Sequence, residues 1–121
     1  MDMPRFFRCS HCGNLVELLV ASGVPMICCG EPMQELTANT TDAALEKHVP
    51  QVEVQSDVLT ATVGSTLHPM LEAHHIAFIW LVTEQGVYCK KLDPTGEPVA
   101  RFNLGGEKPL AVYEYCNLHG L

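Results

Sequence analysis

Two pairs of cysteines near the start of this 121-residue chain constrain its fold more than any other feature. Cys9 and Cys12 form a CxxC knuckle, and Cys28 and Cys29 follow after 15 intervening residues. Four thiolates suit a tetrahedral zinc or iron centre. Residues 1–36 hold few large apolar side chains, and so short a segment needs a metal or an association to be stable. The alternatives are two disulfides or a purely structural zinc, and the adjacent second pair predicts a distorted tetrahedron.

The composition excludes several classes of protein. Apolar residues make up 47% of the chain and charged residues 17%, which is typical of a globular protein. The net charge of -7 disfavours nucleic acid and anionic membranes as partners. No apolar stretch approaches the roughly 18 residues of a membrane span, and no secretory leader is recognisable. We therefore expect a cytoplasmic protein, in which the six cysteines are metal ligands or redox groups rather than disulfides, because the cytosol keeps thiols reduced.

The remainder of the chain has the pattern of an antiparallel β-sandwich. Val52 and Val54 alternate with polar residues, and residues 76–82 are a short apolar run rich in aromatic and branched side chains. Further strands are expected at 58–63, 87–92, 98–104 and 110–116. Turns rich in glycine and proline separate these strands, which favours a mainly β domain over 37–121 with a linker at 37–45.

Histidines form a second constellation of metal-binding residues. His48, His68 and His74 lie in loop-like segments, and Cys116 and His119 form a CxxH motif at the end of the chain. Each histidine taken singly would be an ordinary surface or core residue. Loops at one end of a sandwich converge, however, and several imidazoles with one thiolate exceed the needs of a tetrahedral structural zinc. A five-coordinate redox metal such as iron fits this donor set better.

These motifs together resemble the desulfoferrodoxins, the two-iron form of superoxide reductase, over nearly the whole chain. The CxxC knuckle with the adjacent cysteine pair resembles the desulforedoxin-like module of that family. Three further runs resemble its catalytic domain: EKHVP at 46–50, HPMxxxH at 68–74 and CNLHG at 116–120. The resemblance implies a small desulforedoxin- or rubredoxin-like four-cysteine iron module at 1–36. An immunoglobulin-like antiparallel β-sandwich, the superoxide reductase catalytic domain, would follow at 37–121, and the family is usually dimeric.

The resemblance also implies two iron ions per chain, one held by four cysteines and one by four histidines and a cysteine. His48, His68, His74 and His119 would lie in a plane around the second iron, with Cys116 axial and the sixth position open. The histidine of the terminal CxxH motif would bind through Nδ and the other three through Nε. The metal of the first site stays open between iron and zinc, as does its role as a relay or a structural centre.

The implied reaction is the one-electron reduction of superoxide to hydrogen peroxide without release of oxygen. Lys47 would attract the anionic substrate, and Glu46 would bind the ferric resting state. A rubredoxin-type protein would donate the electron, the chain would form a homodimer, and calcium at a subunit interface stays open. One alternative is a non-catalytic electron-transfer or metal-binding protein that uses the four-cysteine module. Another is a zinc ribbon fused to a hydrolase, with zinc in both sites.

Three candidate donors remain outside both implied sites. His11 lies inside the first knuckle, whose four sulfurs already complete a shell, so we expect it to face solvent. His75 follows an implied ligand, and its side chain should point elsewhere because successive side chains alternate in an extended segment. Cys89 lies in a predicted strand and is expected to be a small buried hydrophobic residue.

Overall fold

The computed structural model describes residues 3–38, 49–64 and 68–121. The chain divides into two compact units, Met1–Thr37 and Ala38–Leu121. All regular structure in the described ranges is β-strand, and every strand pair is antiparallel. No helix in this part of the chain is long and apolar enough to cross a membrane. The predicted fold class, a cysteine-rich module followed by an immunoglobulin-like antiparallel sandwich, is confirmed.

The first unit is built from short strands. They are β1 Arg5–Arg8, β2 Leu15–Leu18, β3 Ile27–Cys28, β4 Glu31–Pro32 and β5 Gln34–Leu36. Three of them form a sheet in the order β2-β1-β5, and β3 and β4 form a separate two-stranded ribbon. The cysteines therefore lie just beyond the end of β1 and within and after β3.

The core of the first unit is small. Phe6 and Cys9 are 1% and 2% exposed, and they are the buried hydrophobic residues among those described in this unit. In contrast, Val20 and Val24 are 83% and 75% exposed. So little buried apolar area offsets only part of the conformational entropy lost on folding, which favours stabilisation by a metal or by association.

The second unit contains six of the strands in the described ranges. They are β6 Pro50–Gln55, β7 Val58–Val63, β8 Ile76–Thr83, β9 Val87–Lys91, β10 Val99–Asn103 and β11 Pro109–Cys116. They form two three-stranded sheets in the orders β10-β7-β6 and β11-β8-β9. The predicted strands are confirmed to within one or two residues at each end.

Alternation along the strands builds the core between the two sheets. Leu59 and Ala61 of β7 are fully buried and pack in one cluster with Ile79 of β8 and Phe102 of β10. Val52 faces Ala61 across the β6–β7 pair but is 47% exposed, because β6 is at the edge of its sheet. The alternation thus sets the face of each side chain, and the strand order sets its burial.

One end of the sandwich carries the four candidate ligands that the structure describes in this unit. His68 follows the turn after β7, and its backbone N–H donates to the carbonyl of Val63 at 3.3 Å. β11 ends at Cys116, which pairs with Ile76 at the start of β8 after a register shift beyond Tyr115. The backbone of His68 therefore lies beside the end of β7, and the end of β11 lies beside the start of β8.

Candidate metal centres

The first candidate centre brings together the four cysteines of the first unit. The Sγ atoms of Cys9, Cys12, Cys28 and Cys29 all lie within 4.8 Å of one another. Cys9 is buried and Cys12 and Cys29 are exposed, so the group opens to solvent on one side. All six cysteines of the chain lie in the described ranges, and none forms a disulfide. The disulfide alternative for this group is therefore not seen.

Backbone conformation explains how two adjacent cysteines point at one centre. Cys29 has a φ of 53°, in the left-handed region that residues other than glycine rarely occupy. Gly30 and Gly13, which follow the two cysteine pairs, have φ values of 79° and 81°. Both glycines thus supply a permissive backbone directly after a cysteine pair, and the strained residue is Cys29 itself. Such strain outside glycine is characteristic of functional sites.

The thiols of this group have very different proton affinities. The backbone N–H of Cys12 donates to Sγ of Cys9 at 3.5 Å and is the main cause that lowers the pKa of Cys9 to about 6. The neighbouring side chains of Cys12 and then Cys9 raise the pKa of Cys29 to about 12. In the metal-free group the thiol of Cys9 therefore ionises more readily than that of Cys29, and binding of a cation by the sulfurs must release protons.

The second candidate centre joins two distant segments of the second unit. Donor atoms of His68, His74, Cys116 and His119 lie within 4.8 Å of one another. Sγ of Cys116 is 3.5 Å from Nε2 of His68 and 3.8 Å from Nδ1 of His119. The ring of His74 stands edge-on to both other imidazoles, with centroids 4.6 Å from His68 and 5.1 Å from His119.

Local hydrogen bonds orient these donors. Nδ1 of His68 donates to the carbonyl of Pro69 at 2.7 Å, which orients the ring so that Nε2 faces Cys116. Cys116 is fully buried, and burial raises the pKa of its thiol, with the backbone N–H groups of Leu118 and His119 acting in the opposite direction. A cation in the group would reverse this balance and hold the sulfur as a thiolate.

Comparison with known proteins agrees with the two-unit arrangement of these sites. The family model described as "Desulfoferrodoxin, N-terminal domain" matches residues 3–36, and the model described as "Desulfoferrodoxin" matches residues 40–121. This chain belongs to the desulfoferrodoxin family. Each matched segment contains a different one of the two groups of donors, so each group lies within a segment that the family shares.

Two sequence relatives and one solved structure span nearly the whole chain, and a second solved structure spans part of it. The desulfoferrodoxin of Nitratidesulfovibrio vulgaris is 47% identical over 114 residues, which cover 94% of this chain and 90% of that protein. The desulfoferrodoxin homolog of Methanothermobacter thermautotrophicus is 42% identical and covers 99% and 97%. Among solved structures, the superoxide reductase from Treponema pallidum has a TM-score of 0.82 at 36% identity, covering 98% and 96%. The superoxide reductase (1Fe-SOR) from Giardia intestinalis has a TM-score of 0.52 at 37% identity, covering 62% of this chain and 91% of that one.

The chemistry of the donors fits the two iron sites of the desulfoferrodoxin family. Four converging sulfurs suit a tetrahedral iron, and imidazoles with one thiolate suit a non-haem iron. The first group contains the four predicted cysteines, and the second contains four of the five predicted ligands. Glu46, Lys47 and His48 lie outside the described residues, so their predicted roles stay predictions.

The predictions for the three donors outside the implied sites agree with the structure for two residues and disagree for one. His11 is half-exposed and pairs with Glu31 at 3.0 Å, as expected for a side chain outside the metal shell. His75 turns its Nδ1 to the carbonyls of Leu71 and Glu72, at 3.0 Å each, and away from the second group. The prediction for Cys89 is wrong, because this residue is exposed. It lies on β9, an edge strand whose residues are mostly exposed.

Two residues beside the groups were not predicted from the sequence. Nδ2 of Asn14 donates to Sγ of Cys28 at 3.5 Å and lowers the pKa of that thiol against the larger raising effects of the other cysteines. Glu114 is 5% exposed, and burial raises its pKa to about 8. It faces Ile79 across β8 and β11 and therefore lies on the inner face of the sheet. Glu114 and Val112 are two residues apart in β11 and therefore lie on the same face of the sheet. Because residues on that face are expected to be apolar, this spacing could have identified Glu114 as an unusual carboxylate.

Proposed function

We propose that this chain is a superoxide reductase. Superoxide would take up one electron and two protons at the second group and leave as hydrogen peroxide, with no oxygen formed. The observation that carries the proposal is the convergence of three imidazoles and one cysteine sulfur in a family member, with His68 and Cys116 buried and the other two donors partly buried. An iron ion bound there would supply the electron, because mixed nitrogen and sulfur donors support iron redox chemistry.

The iron would be held by the imidazoles of His48, His68, His74 and His119 and by the thiolate of Cys116. The geometry of the described four supports this assignment. Nε2 of His68 and Nδ1 of His119 both face Sγ of Cys116, at 3.5 and 3.8 Å. The full burial of Cys116 keeps water from the sulfur that would hold the iron.

Two charged residues next to His48 complete the proposed site. A substrate anion approaching a protein with a net charge of -7 needs a local positive charge, and Lys47 would supply it. Glu46 would occupy the open ligand position in the oxidised resting state, since a carboxylate is a hard anionic ligand that suits ferric iron. Both roles follow from the resemblance of the EKHVP run and need direct tests.

The two units would have different roles. Residues 1–36 would be the desulforedoxin-like four-cysteine iron module, and residues 37–121 the catalytic sandwich, with 37–45 as the linker. The exposure of Cys12 and Cys29 supports access of a redox partner to the first group. A rubredoxin-type donor would supply electrons, and the chain would act in the cytoplasm, where its thiols stay reduced.

A homodimer is the proposed assembly. Among the described residues of the first unit, four large apolar side chains are more than half exposed: Leu19, Val20, Val24 and Ile27. A second copy would cover such side chains and add the apolar burial that the small core of this unit lacks.

The proposal is tested by the ratio of superoxide consumed to hydrogen peroxide formed. Iron-loaded, reduced protein should convert superoxide to hydrogen peroxide one for one and release no oxygen, whereas a dismutase would release oxygen. The oxidised protein should show the blue absorption of a four-cysteine iron centre and a second, broad band at lower energy from the axial thiolate. Oxygen release, or the absence of the lower-energy band in fully loaded protein, would contradict the proposal. The latter result would leave an electron-transfer protein that uses the four-cysteine centre.

Single variants locate the chemistry. Cys116→Ser should lose the lower-energy band and most of the activity, and Cys89→Ser, which changes an exposed cysteine of the same unit, should lose neither.

Lys47→Ala should slow superoxide capture most at low ionic strength, where charge attraction is least screened. The exposed Lys108→Ala is its matched control. Equal rates for both lysine variants would exclude electrostatic guidance by Lys47.

A further inference from the structure

Asn117 directly follows Cys116, and its hydrogen bonds reach across to the segment that carries His74. Its Oδ1 accepts from the backbone N–H of His75 at 2.8 Å, and its Nδ2 donates to the carbonyl of Ala73 at 3.0 Å. Its own backbone N–H donates to the carbonyl of His75 at 3.2 Å. Three hydrogen bonds from one residue therefore hold the backbone on both sides of His74.

Each of the two segments is also closed on itself. Leu71 and His74 exchange two backbone hydrogen bonds of 2.9 and 3.0 Å, which form a tight turn. Cys116 and Gly120 exchange another two, of 3.0 and 2.9 Å. Two locally rigid turns joined through Asn117 have few ways to move apart, so the positions of their donor atoms are coupled.

We infer that Asn117 is a positioning residue that assembles the second group of donors before a metal binds. Its carboxamide has an acceptor and a donor on one short side chain, and both are used here. Aspartate has the same shape but offers only acceptors, and leucine offers neither. Preassembly lowers the ordering cost of metal binding, and outer partners of ligands commonly set metal affinity. The inference rests on the proposed ligand role of His68, His74, Cys116 and His119.

The test compares ferrous iron affinity at the two groups of the same full-length chain. Metal-free protein is titrated with Fe(II) against a competing chelator, and the absorption of each oxidised site is read separately. Asn117→Leu should weaken Fe(II) binding at the second group about 10- to 100-fold, as is typical when an outer partner is lost. Asn117→Asp should show a smaller loss, and the first group should be unchanged. Asn103→Leu makes the same change at an exposed position at the end of β10 and should have no effect.

The fluorescence of Trp80, the single tryptophan of the chain, reports whether the second unit stays folded in each variant. If Asn117→Leu unfolds this unit, the comparison is made with Asn117→Asp. Wild-type affinity in a folded Asn117→Leu chain would overturn the inference, as would an equal loss in Asn103→Leu. A wild-type chain that binds no iron at the second group would overturn the proposed function as well, so the two failures are distinguishable.

Discussion

Replacing Glu114 by glutamine should stabilise the metal-free second unit at neutral pH. This carboxyl group is 5% exposed, and among the described residues its Oε2 atom has no hydrogen-bond partner. Burial raises its pKa from the ordinary value of 4.5 to about 8. The folded chain therefore binds more protons than the unfolded chain between these values, and its stability falls as the pH rises through that window.

The magnitude follows from the difference between the two pKa values. One pH unit within the window costs the folded state about 1.4 kcal/mol, so ionisation of Glu114 costs under about 1 kcal/mol at pH 5 and about 3 kcal/mol at pH 7. Glutamine has the same size and cannot ionise. The stability advantage of Glu114→Gln over the wild type should therefore grow by roughly 2 kcal/mol between pH 5 and pH 7.

Urea denaturation of metal-free, reduced protein at several pH values measures this difference, with Trp80 fluorescence as the signal from the second unit. Glu97→Gln, at an exposed position of the same unit, is the matched control and should shift the stability by less than about 0.5 kcal/mol. A difference between Glu114→Gln and wild type that stays constant across the pH range would refute the reasoning, because it would mean that Glu114 ionises equally easily in both states.

Three further substitutions test the centres and the core. Cys9→Ser should abolish the iron absorption of the first group but spare superoxide reduction, and a parallel loss of activity would indicate an obligatory electron relay. Asn14→Leu removes the hydrogen bond from Nδ2 of Asn14 to Sγ of Cys28, which favours the reduced, more negative centre, so the potential of the first centre should fall in a redox titration. An unchanged potential would argue against that bond. Ile79→Ala should lower the free energy of unfolding by about 2–5 kcal/mol, since this side chain is fully buried between the sheets, and a loss below about 1 kcal/mol in urea denaturation would indicate that the core relaxes into the cavity.

Much of the fold could be predicted from the sequence because its signals are local. Composition and length predict a buried strand at residues 76–82, and the observed β8 covers Ile76–Thr83. The run Asp93-Pro94-Thr95-Gly96 predicts a turn, and the N–H of Gly96 donates to the carbonyl of Asp93 at 3.1 Å. Strand periodicity and turn residues act over a few positions, so they can be read without knowing what packs against them.

Burial was harder to predict, since it depends on which strands lie at the sheet edges. Cys89 and Glu114 are both in strands, and a residue-type argument would bury the cysteine and expose the glutamate. The structure does the opposite, because β9 is an edge strand and Glu114 is on the inner face of β11. Strand order arises from pairing between distant segments, and a single sequence does not contain it in readable form.

The sequence by itself determined the types of donor, the short cysteine and histidine spacings, the strands and the glycines that follow the cysteine pairs. Only the tertiary structure decided that Cys116 meets His68, 48 residues away in the chain, with their donor atoms 3.5 Å apart. It also decided that Cys29 adopts a left-handed backbone so that adjacent thiols converge. Donor chemistry belongs to individual residues, whereas convergence depends on the register of β8 and β11 and on the turns that it brings together.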